Sequence, residues 1–187
     1  QQWYIPAVKG DSAWALTTGD TTQIIAIVDT GIDWTHPDLQ GKIWLNMAEY
    51  NGVAGVDDDG NGFVDDIRGW DWINNDNNPT DDNSHGTHVA GIAGAKTNNG
   101  VGIAGISWGA KVMAIKVFQS SGYGDFATIA QGINYAKNKG ATVINMSFGS
   151  VNIRSYTIEN VLEGAYSNCV LVAAAGNNSR CIGPGSC

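Results

Sequence analysis

The chain has 187 residues, 43% of them hydrophobic, which suits one sizeable core and a single domain over residues 1–187. Its net charge of −8 and pI near 4.5 exclude partners held through phosphates, whether nucleic acid or an anionic membrane surface, because no Lys/Arg cluster is present to neutralise them. No apolar run is long enough to span a bilayer, and the chain opens at Gln1 with neither Met nor a signal-peptide pattern, so any targeting segment is expected to have been removed or left out.

The first strong element in chain order is QIIAIVD (23–29), an apolar β-rich run that ends in an acid. It reads as a strand buried on both faces, as in a parallel sheet. Asp29 then has two readings: a carboxylate that caps the following turn through backbone N–H groups, or one held at the sheet's reactive edge, which needs a partner.

Nine of the 18 acidic residues fall between Asp57 and Asp82, where Arg68 is the sole basic residue. Within that stretch, VDDDGNGFVDD puts oxygens at Asp57, Asp59, Asn61 and the Phe63 carbonyl, every second residue, with Asp65 or Asp66 to close the shell. This spacing is that of the first half of a helix-flanked calcium loop, with Gly60 and Gly62 permitting the sharp turn. Arg68 stands where the bidentate Glu of a complete loop belongs, so the pattern is not a full EF-hand; the bland alternative is a solvated acidic turn.

DDNSHGTHVAGIAGA (81–95) follows, opening a helix over 84–97 with Asn83 or Ser84 as its cap. His85 then sits in the first turn. There the helix dipole disfavours imidazolium and a nearby carboxylate favours it, which keeps a base near neutrality. His88, one turn further on, reads as a packed or locally hydrogen-bonded residue. Zinc ligation by the pair is disfavoured, because metalloprotease histidines are spaced i, i+4 with a Glu between them. GVGIAG (100–105) matches GxGxxG literally, but a helix precedes it and a strand follows, the reverse of a dinucleotide fingerprint.

Strands at 110–118, 141–148 and 168–177 alternate with helices at 125–140 and 155–168, capped by Asp125 and Ser155, with Gly140 stopping the first. The alternation predicts an α/β fold: a doubly wound, mainly parallel sheet with helices on both faces. Ligands in such sheets gather outside the carboxyl ends of the strands, which singles out Asp29, Asn145–Ser147 and Gly176–Asn177. Three cysteines make neither a zinc set nor an even disulfide framework. Cys181 and Cys187 could bridge, and Cys169 reads as a small packed residue.

IIAIVDTGIDWTHPDL, NSHGTHVAGIAGA and LVAAAGN, in that order, resemble the subtilisin-like serine proteases, especially the calcium-rich bacterial branch that includes thermitase. The resemblance implies that Asp29 orients His85, that His85 takes the proton from a serine nucleophile, and that Asn177 donates to the oxyanion. The family's serine lies in a GTSMA-like sequence well after the AAAGN strand. No serine here stands in that context, Ser186 in GPGSC included, so the chain is expected to be the N-terminal portion of the peptidase domain, C-terminal part missing, without a complete triad.

By the same resemblance an extended peptide adds as a strand beside SFGS (147–150) and SGYGDF (121–126). Ser147, Phe148 and Gly149 with Ala174, Ala175 and Gly176 would line the pocket for the residue before the scissile bond, while Gly122, Gly124 and Phe126 would border the pockets further upstream. Core packing is the competing reading for Phe148 and Phe126. A second calcium site is implied at Asp38 and Asn99 with the carbonyls of Thr97, Val101 and Ile103, completed by an N-terminal ligand for which Gln2 is the candidate. Calcium as cofactor, protein or peptide substrates, an inhibitory pro-peptide, a monomeric state and an extracellular location complete the expectations. The rival from another class is a non-catalytic, calcium-stabilised peptide-binding domain that keeps the groove.

Overall fold

Ile24–Asp29 (β1) lies at the centre of a five-stranded sheet in the order β2-β3-β1-β4-β5, with β2 Gly69–Asp71, β3 Lys111–Lys116, β4 Val143–Met146 and β5 Val170–Ala173. The computed structural model describes residues 2–150 and 153–177. Every strand pairing is parallel, as the apolar, β-branched strand sequences predict.

Alternation along β1 and β3 sorts the core into two. Ala26, Val28, Met113 and Ile115 face one side, where helices Phe126–Asn138 (α5) and Tyr156–Tyr166 (α6) cover them with Ile129, Ile133 and Ala165. Ile27, Val112 and Ala114 face the other, against helix His85–Gly94 (α4) and the single 3-10 turn Pro37–Leu39. Asp29 and Lys116 continue this second series, so the helix that begins with His85 covers the face on which Asp29 ends the strand.

The β3–α5–β4 crossover carries the chain past β1 to its other side. β1 is therefore flanked by β3 and β4, and the order reverses at its carboxyl end, where α/β sheets bind ligands. Asp125 caps α5 as expected, its Oδ1 accepting from the N–H groups of Ala127 and Thr128 at 2.8 and 2.9 Å, and Gly140 follows the helix at φ +81. Ser155 caps α6.

Several elements escaped the sequence pattern. Helices Tyr4–Ala7 (α1), Gly10–Trp14 (α2) and Met47–Asn51 (α3) span four or five residues, too few to display a 3.6-residue period. β2 exists because Gly69 adopts φ +130 and lies so close to β3 that an added Cβ would sit 1.8 Å from the Ala114 carbonyl oxygen. The strand expected over 168–177 shrinks to Val170–Ala173 and is not buried on both faces; Val170 is 62% exposed. Cys169 is packed as expected, its thiol donating to the Ala141 carbonyl at 3.1 Å, and burial raises its pKa. Cys181, Cys187 and Ser186 lie outside the described residues.

Candidate active site

Asp29 is 1% exposed, and its Oδ1 lies 2.7 Å from Nδ1 of His85 while accepting from the Thr30 N–H at 2.8 Å. A carboxylate only accepts, so Nδ1 carries the proton of this contact and Nε2 is left unengaged by Asp29. The imidazole is half exposed, 49% for the side chain. This is the geometry of a general base, oriented from behind and open in front.

The approach of α4 to β1 is set by Gly86, where an added Cβ would stand 2.1 Å from the Gly31 carbonyl oxygen. Thr30 stitches the two elements together: its Oγ1 accepts from the Gly86 N–H at 3.0 Å and donates to Asp81 at 2.8 Å. The helix cap differs from expectation. Ser84 has φ +83 and makes no side-chain cap, and Asn83 offers only a 3.3 Å contact to the His85 N–H. Asp81 does the work instead, accepting from the N–H groups of Asn83, Ser84 and Thr87 and from the Thr87 hydroxyl. Burial pushes the Asp81 carboxyl up, but hydrogen bonds from Thr87, Asn83 and Thr30 outweigh it and hold the pKa below its ordinary value. His88 is exposed and its side chain makes no hydrogen bond among the described residues, contrary to the packed or locally hydrogen-bonded side chain expected of it.

A cavity of about 230 Å³ opens beside the pair, lined by Asp29, Thr30, Asn83, His85, Phe118, Gly122, Ser147 and Phe148. A second, of about 690 Å³, adjoins it through Gly122 and Phe148 and is walled by Gly124, Phe126, Gly149, Ile153, Ile158 and Leu162. Phe148 packs on the core, 4.9 Å from the Phe118 ring centroid, and also lines both cavities. Phe126 is 38% exposed at the start of α5. Ala174, Ala175, Gly176 and Asn177 follow β5 in exposed backbone and line neither cavity; Ala173 is the residue of that segment which does. The structure thus joins Ser147–Gly149 to the 122–126 segment and leaves 174–177 apart.

Residues 20–186 match the model of the subtilase family. The chain belongs to that family. It is 42% identical over 169 residues to the thermophilic serine proteinase of Bacillus sp. (strain AK1), covering 90% of this chain and 36% of the relative. It is 38% identical over 170 residues to thermitase of Thermoactinomyces vulgaris, covering 91% and 52%. Subtilisin-like protease 1 of Plasmodium berghei (strain Anka) is 39% identical over 149 residues, 79% of this chain and 25% of that protein. The chain therefore spans between a quarter and about half of the length of these relatives.

In this subtilase the acidic loop folds around a residue that sequence spacing missed. Carboxylate oxygens of Glu49, Asp57 and Asp59 lie within 4.8 Å of one another. Glu49, on α3, is 3% exposed and accepts from the N–H groups of Asp58, Asp59 and Asp65. It stands eight residues before Asp57, so no pattern confined to the loop could have found it.

Asp57 accepts from the Asn61 and Gly62 N–H groups, and Asn61 Oδ1 from the Phe63 N–H. Asp65 turns away at φ +54 to accept from Gly55, and the fully buried Asp66 accepts from Asn46, Asn61 and the Tyr135 hydroxyl. Neither joins the cluster. Lys139 forms ion pairs with Asp59 and, at 3.3 Å, with Asp66.

At the second expected metal site Asp38 is 2% exposed and accepts from Asn99 Nδ2 at 2.8 Å and the Ile103 N–H at 2.7 Å. Gln2 pairs with both backbone groups of Ala104. Asn99 and Ile103 of that loop are thus held on Asp38, and Gln2 is bonded to the next residue, Ala104. No described helix is long and apolar enough to cross a membrane.

Proposed function

We propose that this chain supplies the base and its orienting acid to a serine endopeptidase acting on proteins or peptides. The observation that carries the reading is the 2.7 Å contact between Asp29 and His85 beside a cavity at the sheet's carboxyl edge. The serine proteinases of similar sequence support it.

In the proposed reaction His85 Nε2 accepts the proton of a serine hydroxyl as oxygen attacks the scissile carbonyl, and returns it to the leaving amine. Asp29 fixes the tautomer and stabilises the imidazolium that forms. Asn177 donates to the oxyanion; such a donor contributes roughly 2.7–4 kcal/mol of transition-state stabilisation. None of the serines in these 187 residues is assigned as the nucleophile. Substrate lies extended along 122–126 and 147–149, donating and accepting main-chain hydrogen bonds.

Calcium is the proposed cofactor. The carboxylates of Glu49, Asp57 and Asp59 form a hard oxygen donor set whose repulsion Lys139 offsets only at Asp59 and a divalent cation would relieve; Asp38 with Asn99 and the carbonyls of Thr97, Val101 and Ile103 is the second candidate. When bound there the ion supplies stability, not reactivity. A secreted monomer with an inhibitory pro-peptide is the proposed setting.

The test uses the complete protein containing this chain and a chromogenic peptide. Hydrolysis that disappears in His85→Ala, with peptide binding retained, supports the reading. Binding without turnover in the unaltered protein would replace it with the non-catalytic peptide-binding domain.

A further inference from the structure

Lys116 ends β3 with a side chain that is 2% exposed, a rare position for a primary ammonium. The register places it directly between Asp29 of β1 and Asp71 of β2, and all three side chains project to the face covered by α4. A buried Asp–Lys–Asp row therefore crosses the carboxyl edge of the sheet. The ammonium does not cap either acid of that row. It donates instead to the Thr30 carbonyl at 2.8 Å and to Asp82 Oδ1 at 2.7 Å.

These two acceptors belong to the two arms of the candidate dyad: Thr30 follows Asp29, and Asp82 precedes His85 by three residues. Asp29 also has a need that its own contacts leave unmet, since Oδ2 is buried without a hydrogen-bond partner. A carboxylate in that condition depends on neighbouring positive charge.

We infer that Lys116 is a positioning residue for the Asp29–His85 pair, a buried counter-cation that ties both arms together and offsets the surrounding acids. The inference rests on the reading of Asp29 and His85 as a catalytic pair. The charges around His85 are few. Asp29 contacts it from β1, Asp81 and Asp82 come from the loop before α4, and Lys116 lies on β3 with Asp71 beyond it. Asp33 turns its carboxylate to Thr35, and the cavity wall opposite is uncharged. One cation thus stands among four acids.

Charge and scaffold make opposite forecasts for two substitutions. Lys116→Met removes the positive neighbour, so the His85 imidazolium is favoured and its pKa rises, by roughly half a unit to one unit. Asp82→Asn removes an acid and leaves Lys116 unneutralised, so the His85 pKa falls by a similar amount. If Lys116 were only a scaffold, both changes would loosen the dyad hydrogen bond and both would lower the pKa.

The experiment is NMR titration of the imidazole C–H signals in the complete protein containing this chain, with His88 as internal reference; it requires no turnover. If Lys116→Met does not fold, Asp82→Asn is compared with Asp82→Asn/Lys116→Met, in which that buried cation and its acid are removed together, and the double variant should titrate higher. A His85 pKa unchanged or lowered on loss of Lys116 in the variants that fold overturns the inference. Asp29→Asn separates the two readings: if it leaves the His85 titration unmoved, the dyad itself fails, whatever Lys116 does.

Discussion

The Tyr135 hydroxyl donates to Asp66 Oδ2 at 2.6 Å, with Asp66 fully buried and Tyr135 4% exposed. The bond fastens the acidic loop to α5, and Tyr135 also stacks edge-on against Phe63 and Trp72. Burial first, then the Asp66 charge, drives the phenol pKa above its ordinary value, so it stays protonated and donates to that carboxylate at neutral pH. Tyr135→Phe should keep the packing and strip one donor from a buried carboxylate. The expected loss is about 1–3 kcal/mol, read from the urea midpoint.

Asp29→Asn should leave the fold intact and place an amide where the imidazole needs an acceptor. In the complete protein kcat should fall by roughly 10⁴-fold, the scale found when a triad acid is neutralised. Peptide KM should move little. A loss under tenfold would mean that the 2.7 Å contact is structural only.

Five carboxylates between Asp57 and Asp66 repel one another, and Lys139 offsets part of that charge. Calcium at about a hundredfold over its dissociation constant should add roughly 2.7 kcal/mol by binding the folded state alone. Chelation should lower Tm and open residues 57–66 to proteolysis, and magnesium should rescue poorly because it demands tighter octahedral geometry. Glu49→Gln should weaken the response as much as Asp59→Asn does. Equal melting curves in calcium and chelator would remove the ion from the account.

Asp81 gives a signed pH dependence. Its folded pKa is depressed below 3.8, so its contribution is fully present above that value and is lost as pH falls through the depressed one. Asp81→Asn should destabilise by about 2 kcal/mol at pH 7, the upper range for a helix cap. Denaturant midpoints of the two proteins should converge as pH falls below 3.8 and through the depressed pKa.

Four of the five strands were legible because they are apolar runs with polar endings, and α5 and α6 because a capping Asp125 and Ser155 precede clear helical spacing. Asp29 and His85 were legible as a strand-end acid and a helix-start base. What stayed hidden is long-range. Glu49 reaches the acidic cluster from another element, Asp81 caps from four residues upstream of His85, and Lys116 lies within a run that reads as uninterrupted β-strand. His88 shows the converse: on a helix of mostly small residues with little contrast between its faces, position alone does not decide between packing and solvent. Spacing reports neighbours along the chain, and these contacts join residues across the fold.

The placement of β1 fixes an order of assembly. Its neighbours are residues 111–116 on one side and 143–146 on the other. The strand that carries Asp29 is therefore the first of the five to be synthesised, and it remains unpaired until more than eighty further residues have followed it. Long-range parallel pairing of this kind is slow, since loop closure precedes any gain from contact. A chain emerging residue by residue holds Asp29 and His85 early, but the strand that carries Asp29 gains its first β-partner only when residues 111–116 are made.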